Sequence, residues 1–350
     1  MAELHKAMLY EKLDNQRVHC ALCAQRCRIA EGQRGLCGVR ENREGTLYTL
    51  VYGQVISQAV DPIEKKPLFH FHPGTTALSI ATVGCNFSCT FCQNADISQA
   101  PRERMWPPQS GIGMPITPPE EVVRAARRHD CQSIAYTYTE PTIFFEYAYD
   151  VCRLAHQNAV ANVFVSNGYM TPEMLDYVTS EDAPPLLDAA NIDLKAFRDD
   201  YYREQCHARL QPVLDSLKLM KRRGVWIEVT TLVIPGLNDA DEELRDIAGF
   251  IGGELGVETP WHVSRFHPTY KLLDRPPTPT RTVQRAREIG LEEGLRYVYV
   301  GNIPGDDGEH TSCPNCGQVV IRRMGYRIMT QDVEEGGCRH CGTAIDGVGL

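Results

Sequence analysis

From Thr76 to Val300, short apolar runs alternate with longer stretches of helical character. Seven of the runs read as strands. They are TALSIATV (Thr76–Val83), SIAYTY (Ser133–Tyr138), NVFVSN (Asn162–Asn167), NIDLK (Asn191–Lys195), WIEVTTLVI (Trp226–Ile234), WHVSRF (Trp261–Phe266) and RYVYV (Arg296–Val300). Helices fill the gaps. TPPEEVVRAARR starts with Thr117 as N-cap, Pro118 at the first helical position and Glu120 at N3, a capping-box start. Further helices are expected over Ile143–Gln157, Thr171–Val178, Asp241–Glu254 and Arg281–Glu293. A long one ends near Gly224, where a glycine belongs just past a helix. The Pro-rich stretch Trp106–Pro119 reads as a long loop, and RPPTPT (Arg275–Thr280) as a turn before the last helix. No internal repeat or low-complexity segment interrupts the pattern.

Strands alternating with helices imply right-handed βα units on a parallel sheet. The fold class expected is α/β, a partial or complete (β/α) barrel. In barrels the chemistry sits at the C-terminal ends of the strands. There the first strand runs straight into VGCNFSCTFCQN, with Cys85, Cys89 and Cys92 inside eight residues.

Eleven of the 14 cysteines fall into three close-spaced sets. Cys313, Cys316, Cys338 and Cys341 form two C-x-x-C knuckles, each followed by glycine. This is zinc-ribbon spacing, four thiolates closed round a structural ion, although a rubredoxin-type iron suits the same ligands. Cys20, Cys23, Cys27 and Cys37 form a second four-thiolate set, for zinc or an auxiliary iron–sulfur cluster. Cys85, Cys89 and Cys92 are three. Three thiolates can hold three irons of a [4Fe–4S] cluster and leave the fourth iron an open position, which marks a working site. Cys131, Cys152 and Cys206 stand alone and read as small buried hydrophobes.

The formal net charge of −9 argues against general nucleic-acid affinity, so RNA is unsupported as a partner by charge. The basic runs KRRG (Lys221–Gly224) and RRMGYR (Arg322–Arg327) read as solvated helix ends or loops. MAELHKAMLYEKLDNQ has no apolar signal-peptide core, and no run of about 18 apolar residues suggests a membrane span. A cytoplasmic protein is expected, where cysteine sets are metal ligands rather than disulfides.

The C-x3-C-x2-C spacing resembles that of the radical S-adenosylmethionine (SAM) enzymes. The resemblance implies that the open iron chelates the amino and carboxylate groups of SAM. One electron from the reduced cluster then cleaves the cofactor to methionine and a 5′-deoxyadenosyl radical, which takes a hydrogen from the substrate. A low-potential donor such as flavodoxin or ferredoxin would supply the electron. Phe91 fits the aromatic residue of the family's cluster loop, whose backbone meets the adenine. YTYTEPT (Tyr136–Thr142) stands where the family usually carries a Gly-Gly-Glu-type motif, so Thr139 and Glu140 would take the ammonium group; the threonine departs from the family pattern. Glu140 also suits a plain helix-start charge. Ser166 and Asn167, Asp193 and Lys195, and Glu228 and Thr230 lie at the third to fifth strand ends, which bind the methionine carboxylate and ribose in that family. Lys195 is placed to pair with Asp193. His262 and His267 are candidate proton donors.

The resemblance extends over nearly the whole chain. C-x-L-C, G-x-C-G-V-R-x-N (Gly35–Asn42), YGQVISQAVDPIEKKPLFHF, TYTEPT, PWHVSRFHP and the terminal ribbon together resemble the radical enzyme of the AmmeMemoRadiSam system, a group similar to pyruvate formate-lyase activating enzymes. It implies Memo-like and Ammecr-type proteins as partners. It also implies an N-terminal Cys-rich segment (1–72), a radical SAM core (73–304) and a zinc-ribbon-like domain (305–350). In DPIEKKPLFHF (Asp61–Phe71), Lys65, Lys66 and His70 are within reach of the barrel mouth, unless the segment is a solvated sheet edge. Three functions fit: radical chemistry on a small molecule or RNA base, activation of a glycyl-radical enzyme, or a zinc-ribbon binding module. An activase needs an open groove. A module needs no cofactor site, so Glu140 and the three-cysteine loop speak against it. Roofing by the two Cys₄ elements would favour the first.

Overall fold

The computed structural model describes residues 4–103, 115–179 and 185–350. Most of the expected loop Trp106–Pro119 lies outside the described residues. One eight-stranded sheet organises the chain. Its strands are β1 (Ser57–Pro62), β2 (Thr76–Ala81), β3 (Ser133–Tyr136), β4 (Ala161–Ser166), β5 (Ala189–Asp193), β6 (Trp226–Val233), β7 (Trp261–Arg265) and β8 (Val298–Gly301). They lie side by side in chain order, and β2 to β8 pair in parallel. All seven expected strands are present. The eighth, β1, was not expected, and it pairs antiparallel with β2, which makes the sheet mixed. The outer strands β1 and β8 are not paired with each other.

The helices α1 (Pro119–Arg128), α2 (Phe145–Gln157), α3 (Pro172–Val178), α4 (Gln211–Arg222), α5 (Asp241–Phe250) and α6 (Thr280–Glu292) cover one face. The alternation of strand side chains explains why. Leu78, Ile80, Ile134, Tyr136, Ile227 and Val229 point into a core shared with helix residues such as Val122, Val151 and Leu244. Gly224 follows α4 with φ +77°, as a C′ glycine should. The capping box at Thr117 does not form. Thr117 is tied elsewhere, its N–H to the Gly53 carbonyl and its own carbonyl to the Tyr147 hydroxyl. The helix starts one residue later than expected, with Pro119 as its first residue and Pro118 extended before it.

The other face carries small residues, Ala77, Ala135, Val163 and Ala189. The room they leave is filled by the segment 63–71, with Ile63, Leu68 and Phe71 packed against them. An irregular segment buried this way must find partners for its backbone. The Glu228 carboxylate, in the middle of β6, accepts the N–H groups of Phe69 and His70 at 2.9 and 2.7 Å. Asn191 Nδ2 donates to the Pro67 carbonyl.

The C-terminal element seals the same side. Its hairpin strands β9 (Val319–Met324) and β10 (Arg327–Gln331) pair antiparallel. Val320, Ile321 and Ile345 pack with Phe69, Tyr297 and Tyr299. Arg323 was expected in a solvated run. Instead it is buried, stacks over Phe69 at 4.2 Å and donates to the Phe69 carbonyl. No helix among the described residues is long and apolar enough to cross a membrane.

Candidate active site

A cavity of ≈ 430 Å³ opens at the C-terminal ends of the parallel strands, and Cys85, Cys89 and Cys92 all line it. The loop that brings them there begins at Gly84, whose φ is +99°. A Cβ at that position would sit 2.8 Å from Val39 Cγ1 and 3.0 Å from the Cys37 carbonyl oxygen, so only glycine fits without strain. Arg102 braces the loop by donating to the carbonyls of Cys85 and Phe87 and, on the other side, of Leu36. Ser88 and Thr90 donate their N–H groups to Cys206 and Gln205. Cys206 is fully buried, as expected, and stands beside Cys89.

Thr139, Glu140, Ser166, Asn167, Asp193, Lys195, Thr230 and Phe91 line the same cavity. Glu140 is 1% exposed. Its carboxylate accepts from Thr142 N–H and hydroxyl, the Ser166 hydroxyl and the Asn167 N–H. Glu140 thus caps the short helix Pro141–Phe144 and faces the cavity at once. Burial pushes its carboxyl above the usual range, and these hydrogen bonds oppose the shift. Thr139 donates its hydroxyl to the Thr82 carbonyl, and Thr230 donates to Asn191 Oδ1. Asn167 Nδ2 lies 3.4 Å from Cys85 Sγ. Lys195 pairs with Asp193 at 2.7 Å. Burial alone would lower the Lys195 pKa, but Asp193, Cys89 and Cys206 outweigh it and hold the ammonium firmly charged.

Three expectations need correction. Glu228 does not line the cavity; its oxygens are taken by Phe69, His70, Trp226 and His262 beneath it. His262 is buried in the Glu228 pair, between Phe69 and Tyr299, and His267 is exposed away from the cavity wall. His70 does not reach the mouth; it is buried between the Asp346 carbonyl and the Tyr299 hydroxyl. Glu228, His262 and His70 lie in the packed layer formed by segment 63–71 and the C-terminal element, whereas His267 is exposed past the end of β7. Lys65 and Lys66 do reach the cavity, where both bind Asp61. Asp61 also accepts from Ser79 and Tyr138. Burial raises its pKa, but these donors outweigh that and hold the carboxyl well below the usual range.

Tyr138 and Tyr326 line the cavity and were not expected. The first lies inside the quoted YTYTEPT, so position beside Glu140 was a usable signal. Tyr326 arrives from the C-terminal hairpin, and no local pattern points to it.

Three cysteines share one wall of the cavity, and thiolates are the ligands that iron–sulfur clusters use. Among the described residues, ligand atoms of three or more such groups come within 4.8 Å of one another only at Cys313, Cys316, Cys338 and Cys341. Burial pushes the Cys85 thiol up, and the neighbouring Glu140 and Cys89 add to this, so thiolates here require cations to balance them.

Residues 79–248 match the Radical SAM superfamily. The uncharacterized protein MJ0808 of Methanocaldococcus jannaschii is 48% identical over 345 residues, 98% of this chain and 99% of that one. The pyruvate formate-lyase-activating enzyme of Clostridium pasteurianum is 22% identical over 225 residues, 61% of this chain and 88% of that enzyme. A solved radical SAM methyltransferase from Sphaerobacter thermophilus aligns with a TM-score of 0.49 at 18% identity, over 66% of this chain and 67% of that one. The chain belongs to the radical SAM superfamily and is a radical SAM enzyme with similarity to activating enzymes. Membership implies a [4Fe–4S] cluster, SAM and a one-electron reductant such as flavodoxin or ferredoxin.

Proposed function

We propose that the enzyme uses a 5′-deoxyadenosyl radical on a small molecule or an RNA base bound in the ≈ 430 Å³ cavity. The observation that carries this reading is the make-up of the wall. The cysteine loop and Glu140 share it with Lys65 and Lys66 of segment 63–71 and Tyr326 of the C-terminal hairpin. A cavity of that size, walled by added elements, suits compact ligands rather than an extended polypeptide.

In this reading Cys85, Cys89 and Cys92 hold the cluster, which supplies the electron that cleaves the sulfonium of SAM. Glu140 and Thr139 orient the ammonium group, Glu140 through the lone pair that its four donors leave free. Ser166, Asn167, Asp193, Lys195 and Thr230 hold the carboxylate and ribose, and the Phe91 backbone meets the adenine. Glu228 acts one layer below by fixing segment 63–71. The sheet, closed along its unpaired side by that segment, serves as a partial barrel. The C-terminal cysteines hold a structural zinc in this reading, and the pairs Cys313–Cys341 and Cys316–Cys338, 3.6 and 3.7 Å apart, support a single shared ion. Four thiolates about 2.3 Å from one tetrahedral ion stand about 3.8 Å apart.

The whole-chain resemblance supports a place in the AmmeMemoRadiSam system, in the cytoplasm, with Memo-like and Ammecr-type partners. It also supports a division into 1–72, 73–304 and 305–350, with residues 57–71 lending a strand and a filling to the core. The similarity to an activating enzyme favours a second reading, hydrogen abstraction from a glycine of a partner protein. The test is anaerobic incubation with deuterated candidate substrates. Deuterium in 5′-deoxyadenosine from a small molecule or nucleoside supports the first reading. Deuterium transfer only from a glycine-labelled partner, with a protein radical by electron paramagnetic resonance (EPR), replaces it with the second.

A further inference from the structure

We propose that Cys20, Cys23, Cys27 and Cys37 hold a second iron–sulfur cluster rather than zinc. The four cysteines come from separate turns yet line one small cavity. Cys20 ends the strand Val18–Cys20, and its N–H donates to the Cys27 carbonyl. Arg26, at φ +47°, turns the chain between Cys23 and Cys27. Cys37 enters from the turn that Gly38 closes on the Gly35 carbonyl. Cys20, Cys23 and Cys37 are buried and Cys27 is half-buried.

Spacing decides between one ion and a cluster. At the C-terminal site the sulfurs stand at the separation of a single tetrahedral ion. Among the described residues, no three sulfurs of the N-terminal set come within 4.8 Å of one another. Four cysteines that surround a common cavity, but stand too far apart to share one ion, suit four irons, each with its own thiolate.

Arg40 is the independent sign of a ligand. It lines the same cavity and is 1% exposed. Its Nη2 donates to Glu146 and to the Met8 carbonyl. Its Nε and Nη1 are buried with no partner. A buried guanidinium with free N–H groups needs acceptors. Metal-bound thiolates and the sulfides of an iron–sulfur cluster are such acceptors, so Arg40 marks a bound anionic metal group, and the sulfur spacing selects the cluster. The site also abuts the catalytic loop, with Gln25 Nε2 donating to the Asn86 carbonyl and Arg102 joining Leu36 to Cys85.

The test uses the full chain with Cys85, Cys89 and Cys92 all changed to Ala, which removes the catalytic cluster and leaves this site intact. After anaerobic reconstitution with iron, sulfide and zinc, about four irons and four sulfides per chain are expected. A further Cys23→Ala and Cys27→Ala change should abolish them. The unmodified enzyme should carry about eight irons, which tests the proposal even if the variants fold poorly. Zinc without sulfide in the triple variant, or about four irons in the unmodified enzyme, overturns it.

Discussion

His70 shows how one buried residue ties stability to pH. The Asp346 carbonyl can only accept, so Nδ1 carries the proton and Nε2 accepts from Tyr299. Burial pushes the His70 pKa down to about 4, with Glu228 opposing and Arg323 and His262 assisting. The unfolded chain therefore binds this proton more readily between about pH 6.5 and 4. Stability falls as the pH drops through that window, by about 3 kcal/mol in full. Urea denaturation should show the fall, and His70→Gln, which cannot titrate, should flatten it. Glu140 makes a second case. Glu140→Gln replaces an acceptor of four hydrogen bonds with a group that cannot accept them all. A loss of about 1–3 kcal/mol is expected in denaturation, with weaker SAM binding by calorimetry. Binding unchanged from the parent would remove Glu140 from the cofactor site.

At the scale of elements, the cluster loop depends on one glycine. Gly84→Ala adds a methyl against Val39 and the Cys37 carbonyl at a positive φ. About 1–3 kcal/mol of destabilisation is expected, with lower iron loading at matched protein concentration. Full iron loading and unchanged stability would mean that the loop is freer than its packing implies. Elements of this kind were legible in the sequence where periodicity and burial agree. Ser133–Tyr136 is a short run buried throughout on the parallel sheet, and Trp226–Val233 is rich in β-branched residues, and such strands announce themselves. The three cysteines and Glu140 were legible because they follow strands directly. Segment 63–71 was not. It has no period, and what holds it is long-range: Glu228 lies 159 residues from Phe69. The same Glu228, at a strand position that reads as part of the site, is drawn below it by that segment. The misplaced cap at Thr117 is of this type too, because its competing partners, Gly53 and Tyr147, are invisible to a local motif.

At the scale of the whole molecule, the C-terminal element has two jobs that can be separated. It closes the layer under the cavity: Val348 exchanges backbone hydrogen bonds with His70 and His72, and Arg323 caps Phe69. It also lends Tyr326 to the cavity wall. Its own apolar cluster is small, and under the proposed metal site the four cysteines would fix much of its shape. Cys316→Ser should therefore lose one zinc per chain and lower the melting temperature. Cys316 is exposed and does not line the cavity, so the catalytic cluster should load as before. Cleavage of SAM without substrate should also persist, because the groups around the cysteine loop come from β2 to β6. Turnover of the true substrate should fall further than uncoupled cleavage if, as in the proposed reading, Tyr326 meets the substrate rather than SAM. Metal analysis, thermal melting and the ratio of 5′-deoxyadenosine to product check each part on one variant. Unchanged zinc would remove Cys316 from the ligand set. Loss of uncoupled cleavage with the catalytic cluster still loaded would make the C-terminal element part of the SAM site, and its role as a clip beneath the cavity would have to be given up.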